Sequence, residues 1–500
     1  MSENKACPAP QNSAAPADAD PRSAAPASVI PASVAPAVPA ASHDGERKQS
    51  RLQGRSYCII TFGCQMNKSD SERVAGMLDA LGAEPACQQG DADLIVFMTC
   101  CVREAADERL YGQVASLKNA GKLVAVGGCI GQRDAAELAR KMPHVSVVFG
   151  THNIASLPAL IEEALESSAP VVEVVSNKAA ALREQPETGQ LLPTRREHSW
   201  HAWLPIIAGC NNFCSYCVVP HVRGRERSQT FEVLVAEARR LVADGVREIT
   251  LLGQNVNSYG RDLYGQPRFA ELLYALAEVG IERLRFATSH PKDLFPLTIQ
   301  AFADVPALMP ALHLPAQSGS DRILKLMNRR YTAEQYLDLV EQVRAACKTA
   351  GKEPVAFSTD IIVGYPGETE EDFEQTLALV RAVGYAQAFT FLYSPREGTP
   401  AASLPDTTPR EVIQERFDRL VDLVQQSAWR FNQHFLATEL PVLFEGASKR
   451  DAHQLTGRGP GNQTVHVPLP EGAEASDFAG CILPVRITEA KTWYLSGQLS

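Results

Sequence analysis

Three cysteines within eight residues, Cys210, Cys214 and Cys217 in G-C-N-N-F-C-S-Y-C at 209–217, constrain this chain more than any other feature. Twelve cysteines scattered at random over 500 residues would give roughly 0.007 such C-x3-C-x2-C triplets, so the spacing is not chance. Three thiolates this close can bind one metal centre. They leave one position of a four-ligand centre open, and an open position is what leaves room for chemistry. A zinc site whose fourth ligand lies elsewhere, or thiols that merely lie close, are the other readings of the spacing alone.

The length exceeds what one hydrophobic core organises, so about two to four domains are expected. Hydrophobic content of 45% and charged content of 21% are those of an ordinary globular protein. No run approaches the apolar length of a membrane helix, so no membrane partner is expected. The cysteines are too few for a disulfide scaffold and the informative ones follow metal spacing, which points to a reducing compartment, the cytoplasm. A net charge of -10 argues against wholesale polyanion binding but not against a local basic groove.

Residues 1–52 are rich in Ala, Pro and Ser and are expected to be a disordered tail. From residue 53 to 167 short apolar runs alternate with helical periodicity: strands at 57–62, 93–98, 122–127 and 146–149, helices at 69–81, 105–120, 133–141 and 154–165. That pattern predicts an open parallel α/β sheet. Residues 168–200, with scattered prolines, read as a linker with one short strand at 171–175. Alternation resumes over 201–437, with strands at 203–207, 248–252, 283–287, 311–314, 355–363 and 388–392. Six such units make a partial (βα)6 barrel whose working residues belong at the strand carboxyl ends. In the helix after the cysteine loop, Phe231, Leu234, Val235, Ala238, Leu241 and Val242 form one stripe, with Thr230 as cap and Gly245 as stop. After a long helix at 410–436, residues 438–500 read as a small β-barrel of strands at 440–444, 464–467, 482–490 and 493–495. Gly457, Gly459, Gly461 and Asn462 are taken as turns.

Cys64, Cys100 and Cys129 each lie one or two residues past a predicted strand of the first sheet. In a parallel sheet those ends share an edge, so the three thiols are expected to meet there as a second site. Buried cysteine is also a common small hydrophobe, and recurrence in three successive units is what favours a site over that reading.

The run G-C-N-N-F-C-S-Y-C-V-V-P-H-V-R-G-R-E-R-S at 209–228 resembles the radical S-adenosylmethionine methylthiotransferases. So do T-F-G-C-Q-M-N at 61–67, T-C-C-V-R-E at 99–104, L-L-G-Q-N-V-N-S-Y at 251–259, H-L-P-A-Q-S-G-S at 313–320 and D-I-I-V-G-Y-P-G-E-T at 360–369. The resemblance implies a [4Fe-4S] cluster on Cys210, Cys214 and Cys217, with S-adenosylmethionine on its fourth iron as the source of a 5'-deoxyadenosyl radical. Tyr216 would pack beside that cofactor, Gly253, Gln254 and Asn255 would meet its methionine part, and Gln317 and Ser318 its ribose. A second [4Fe-4S] cluster, on Cys64, Cys100 and Cys129, would deliver sulfur. Met98, where the family usually has Asn, and Gly131, where Ala is familiar, depart from the pattern without removing a thiolate. Cys101 beside Cys100 leaves the choice of thiol to the family pattern, which selects Cys100.

The implied reaction adds a methylthio group at C2 of N6-isopentenyladenosine beside the tRNA anticodon, with a flavodoxin or ferredoxin as electron donor. The C-terminal segment, with T-G-R at 456–458 and N-Q-T-V at 462–465, resembles a TRAM domain, an RNA-binding barrel. Lys449, Arg450 and Arg458, with Arg223, Arg225 and Arg227 after the cysteine loop, are the candidate phosphate contacts. Three rival readings stay open: methylthiolation of threonylcarbamoyl-adenosine in tRNA, methylthiolation of a ribosomal-protein aspartate, and a non-catalytic metal-containing RNA-binding protein.

Overall fold

The computed structural model describes residues 28–29, 50–101, 104–177, 192–405 and 408–500. Most of the expected tail and the middle of the expected linker lie outside them.

The first sheet follows from strands that are apolar on both faces. In Ser56–Thr61, Tyr57 and Ile59 enter one core with Val74, Leu78 and Leu160, whereas Cys58 and Ile60 enter another with Leu110, Val114 and Leu138. A strand of that kind must be covered twice, which is the condition for a parallel sheet between helices. Ser56–Thr61, Leu94–Thr99, Leu123–Gly128, Val147–Phe149 and Val171–Glu173 lie side by side in this order, all parallel. The last of these extends the sheet past residue 167, so the first layer takes in residues expected to be linker.

The central region has six parallel strands in two groups of three. His201–Pro205, Glu248–Leu252 and Arg283–Phe286 form one; Ala311–His313, Ala356–Val363 and Gln387–Leu392 form the other. The groups adjoin where the Ser289 amide donates to the His313 carbonyl at 3.1 Å, and together they make a partial barrel. In the helix Phe231–Ala243 the buried stripe is Leu234, Val235, Ala238 and Leu241. Thr230 stands at the N-cap, yet its side chain makes no capping hydrogen bond there.

The C-terminal residues form a closed five-stranded barrel in the order Glu439–Ala447, Gln454–Arg458, Thr464–Pro468, Tyr494–Leu499, Ile482–Ala490. Gln454–Arg458 corrects the reading of Gly457 as a turn. That glycine pairs with Phe444 inside a strand, and a Cβ there would lie 2.6 Å from the Leu443 carbonyl oxygen.

Two arginines lock this barrel to the central one. Strand alternation sends Leu284 and Phe286 into the core under the helices and Arg283 and Arg285 to the opposite face. Arg283 donates to the carbonyls of Arg458 and Pro441, and Arg285 to those of Pro460 and Gly459, while Arg285 Nε bonds Glu248 at 2.9 Å.

Residues 192–197 cross the helix Gln65–Ala80, where the Arg195 amide donates to Glu72 O and Arg195 Nη1 pairs with Asp79 at 3.0 Å. A Cβ on Gly76 would lie 2.4 Å from the backbone at Pro193, so the helix needs a glycine at this crossing. The Glu72 carboxylate accepts the Glu197 amide at 2.9 Å, and burial pushes its pKa from 4.5 up to about 8 against that hydrogen bond and the nearby Arg196 and Lys68. The folded protein keeps this proton where the unfolded chain has lost it. Stability contributed by Glu72 is therefore full below about 4.5 and lost as pH rises towards 8, by about 1.4 kcal/mol per unit at the steepest. Glu72→Gln is expected to flatten that slope in urea titrations run between pH 5 and 9; an unchanged slope would show that another group sets it.

Candidate active site

Parallel pairing brings the three N-terminal cysteines to one edge. Cys64 is the N-cap of Gln65–Ala80, Cys129 opens Cys129–Lys141, and Cys100 directly follows Leu94–Thr99. Their strands are immediate neighbours in the sheet. Gly63 has φ +124, and a Cβ there would lie 2.4 Å from Cβ of Cys100 and 3.2 Å from its Sγ, so the Cys64 loop passes directly over Cys100. Asn67 ties the two loops, donating to the carbonyls of Phe62 at 3.0 Å and Thr99 at 2.5 Å and accepting the Cys64 thiol at 3.5 Å. Cys101 lies in the apolar core behind the edge. The Cys129 thiol is drawn down to about 6, first by a hydrogen bond from Cys101 and then, against burial, by the Arg223 guanidinium. Two helix N-termini at this edge add positive potential suited to thiolates. Cys100 and Cys129 are buried and Cys64 is exposed, which leaves the site open on one side.

The departures from the family pattern have packing reasons here. Met98 is fully buried in the sheet core. At Gly131 a Cβ would lie 2.2 Å from the Phe149 carbonyl oxygen, so alanine requires the helix Cys129–Lys141 to move off the sheet.

The second constellation sits on the loop after the strand Ile207–Ala208. Gly209, with φ +78, passes so close to the return chain that a Cβ would meet the Arg225 carbonyl oxygen at 2.1 Å; only glycine fits. The loop is gripped from residues 326–328: Asn328 Nδ2 donates to Phe213 O at 2.9 Å, the Ser215 amide to Met327 O at 3.1 Å, and Ser215 Oγ to Leu326 O at 2.9 Å. Burial pushes the Cys210 and Cys217 thiols up to about 12, a cost that a bound cationic centre would offset for the thiolates. Arg329, buried and hydrogen-bonded through Nε to Tyr331 OH, places Nη1 3.7 Å from Cys214 Sγ.

On the rim beside this loop, Gln254 Oε1, Asn255 Oδ1, Asn257 Nδ2 and Ser289 Oγ are buried without a protein partner. Buried polar atoms are normally paired, so four of them at the carboxyl ends of adjacent strands mark the seat of a polar ligand. Asn255 Nδ2 donates to Asp293 at 2.7 Å, and Arg261 pairs with the same carboxylate at 3.1 Å. Glu226, also buried, accepts the Asn211 amide at 3.2 Å, and burial raises its pKa.

Among the other sequence candidates, half-buried Tyr216 packs with Ile323, Met327 and Tyr365 behind the cysteine loop. Gly253 lets the chain approach Ile207, whose Cγ2 would lie 2.4 Å from a Cβ. Gln317 has φ +67, and its backbone bonds Asp360 and Ile362. The Ser318 hydroxyl is engaged with Thr376 Oγ1 and the Ser320 amide, which gives it a structural use in the loop.

The basic candidates divide. Arg225, Lys449 and Arg450 are exposed, and Arg225 stacks over Phe213 at 4.4 Å. Arg227 bonds His152 at 3.1 Å, and Arg458 pairs with Glu445 at 2.9 Å. Arg223 stands apart from the others: it is only 7% exposed, and its Nη2 is held inside the protein by Asn67 at 3.0 Å and Asp70 at 3.2 Å. Sequence reasoning singled out neither Arg329 nor Asp293, which carry no distinctive spacing, and it quoted Glu226 only as part of the run at 209–228 without giving it a role.

Among the described residues no three His, Cys, Asp or Glu side chains converge tightly enough for a single metal ion. A loop of three thiols with a polar rim offers three ligands to a four-iron cluster and leaves one iron open. A partial parallel barrel carrying this loop after its first strand defines a radical S-adenosylmethionine protein. Residues 204–380 match the radical SAM superfamily, 56–150 the uncharacterized protein family UPF0004, and 435–500 the TRAM domain. The tRNA-2-methylthio-N(6)-dimethylallyladenosine synthase of Streptomyces viridosporus is 46% identical over 464 residues, 91% of this chain and 89% of its own. That of Carboxydothermus hydrogenoformans is 46% identical over 453 residues, 89% and 99% of the two chains. A solved radical S-adenosylmethionine methyltransferase, TsrM from Kitasatospora setae, shares the fold with a TM-score of 0.50 at 14% identity, over 70% of this chain and 77% of that one. This chain belongs to the family of tRNA-2-methylthio-N(6)-dimethylallyladenosine synthases.

Proposed function

We propose that this protein adds a methylthio group to C2 of N6-isopentenyladenosine at position 37 of tRNA. The observation that carries the reading is the presence of two three-cysteine groups, one on a loop and one at a sheet edge, in one chain whose relatives, named for this reaction, match along nearly its whole length. When bound, the clusters and S-adenosylmethionine supply radical generation and sulfur. Cys210, Cys214 and Cys217 would hold one cluster, and Gln254, Asn255 and Asn257 would bind the polar groups of S-adenosylmethionine, for which their unpaired buried atoms are suited. Arg329 would keep positive charge beside Cys214. Cys64, Cys100 and Cys129 would hold the second cluster, open on the Cys64 side.

In this division of labour residues 53–167 handle sulfur, 201–437 the radical and 438–500 the RNA, with Arg225, Lys449 and Arg450 as exposed phosphate contacts. An adenosine in the anticodon loop is unpaired and can leave its stack to reach a site between two centres. A flavodoxin or ferredoxin would supply electrons. No helix among the described residues is long and apolar enough to cross a membrane, and we place the reaction in the cytoplasm.

Mass spectrometry of tRNA nucleosides from cells lacking the protein tests the substrate. The expected result is loss of the 2-methylthio derivative with accumulation of N6-isopentenyladenosine. Persistence of the methylthio nucleoside would reject the reading, and loss of methylthiolated threonylcarbamoyl-adenosine instead would reassign it.

A further inference from the structure

Arg223 lies six residues after Cys217, at the end of the short helix Val219–Val222, yet its side chain belongs to the other cysteine site. Val218 and Val222 are part of the apolar core that also contains Cys58, Cys101 and Cys129. Thr151 Oγ1 bonds Val222 O at 2.6 Å, and Asn177 Nδ2 bonds His221 O at 2.7 Å, so the segment is pinned into the N-terminal domain from several sides. The guanidinium meets the same Asn67 oxygen that accepts the Cys64 thiol, and pairs with Asp70, itself only 3% exposed. Arg73 lies 3.8 Å from the other oxygen of Asp70.

The guanidinium faces the thiols through Asn67, and its carboxylate partner Asp70 is shared with Arg73, so positive charge predominates beside those thiols. Arginine suits the place because it stays charged when buried and its fork can serve several acceptors. Net charge and hydrogen bonds to sulfur set the potential of an iron-sulfur centre.

We propose that Arg223 is a positioning residue shared by the two sites, carried by the chain that follows the Cys210–Cys214–Cys217 loop and placed to offset negative charge at the Cys64–Cys100–Cys129 centre. It holds that centre in register with the loop and raises its reduction potential. The proposal rests on the reading of these three cysteines as cluster ligands.

The test uses the full chain with Cys210, Cys214 and Cys217 replaced by alanine, reconstituted anaerobically, so that only the second centre remains. Iron content and the midpoint potential, followed by electron paramagnetic resonance, are measured with Arg223 intact. They are measured again with Arg223→Gln combined with Asp70→Asn, which leaves no buried charge unpaired. About four irons per chain are expected throughout, with a lower potential in the double variant and recovery towards the parent value in Arg223→Lys. Asp70→Asn alone leaves the guanidinium in place and is expected to shift the potential upward. In the chain with all six cysteines, Arg223→Gln with Asp70→Asn should lower methylthiolation about 10- to 100-fold, the range for residues that orient metal ligands. Retained iron with an unmoved potential in both directions overturns the role of Arg223 and leaves the second centre standing. A parent chain that holds no iron overturns the second centre, and the role of Arg223 with it.

Discussion

Cys214→Ala is expected to reduce 5'-deoxyadenosine formation to background, whereas Cys100→Ala is expected to keep that half-reaction and lose methylthiolation. The two thiols stand in separate constellations. Cys214 lies on the loop held by Leu326, Asn328 and Arg329, and Cys100 lies under the Gly63 turn at the edge of the N-terminal sheet. Removing Cys214 leaves two thiols for a centre that already has one open position, so its iron should be lost while that at the other edge stays. Anaerobic reconstitution should give about eight irons per chain for the parent and about four for each variant. Equal loss of both activities in the two variants would show that the edges do not have separate jobs. Zinc in place of iron in the parent would end the radical reading.

Arg285→Ala is expected to destabilise the contact between the central and C-terminal barrels by about 3–5 kcal/mol, the range for leaving one partner of a buried pair alone. Glu248 is 6% exposed and would lose the guanidinium that holds it at 2.9 Å, while the carbonyls of Gly459 and Pro460 would lose their donor. Lysine is not expected to rescue the contact, since a point charge cannot reach a carboxylate and two carbonyls at once. Urea titration of the full chain measures the loss, and hydrogen exchange at the amides of 459–463 should localise it. Replacing Arg285 and Glu248 together by methionine should cost clearly less than Arg285→Ala, because neither charge of that pair is then left buried without the other. An equal cost would mean that the carbonyl contacts, and not the ion pair, hold the barrels together.

The strands of both parallel layers were legible because each is a short apolar run between turn residues, and helix periodicity between them fixed the alternation. The strand Gln454–Arg458 was not, because Gly457 reads locally as a turn. Only the close approach of Leu443 shows why a glycine is needed inside a strand there. The capping hydrogen bond expected of Thr230 failed for the converse reason: residue type permits a cap, but side-chain geometry decides it. The short strand Val171–Glu173 was visible in sequence, and its membership of the first sheet was not, since pairing is a property of two segments.

The same division holds for the site. Cys210, Cys214 and Cys217 are bound to one another by sequence spacing, so the chain alone fixes them as one group. The strand-end placement of Cys64, Cys100 and Cys129 follows from sequence together with one topological rule, that parallel strands end on the same edge. Arg223 shows where such reasoning stops. As a basic residue in a run of arginines it reads as a surface charge, and only the packing of Val218 and Val222 into the N-terminal core turns it inward onto Asp70. Local spacing determines which residues can share a ligand. Which charges lie beside that ligand depends on contacts between segments far apart in the chain, and those exist only in the folded protein.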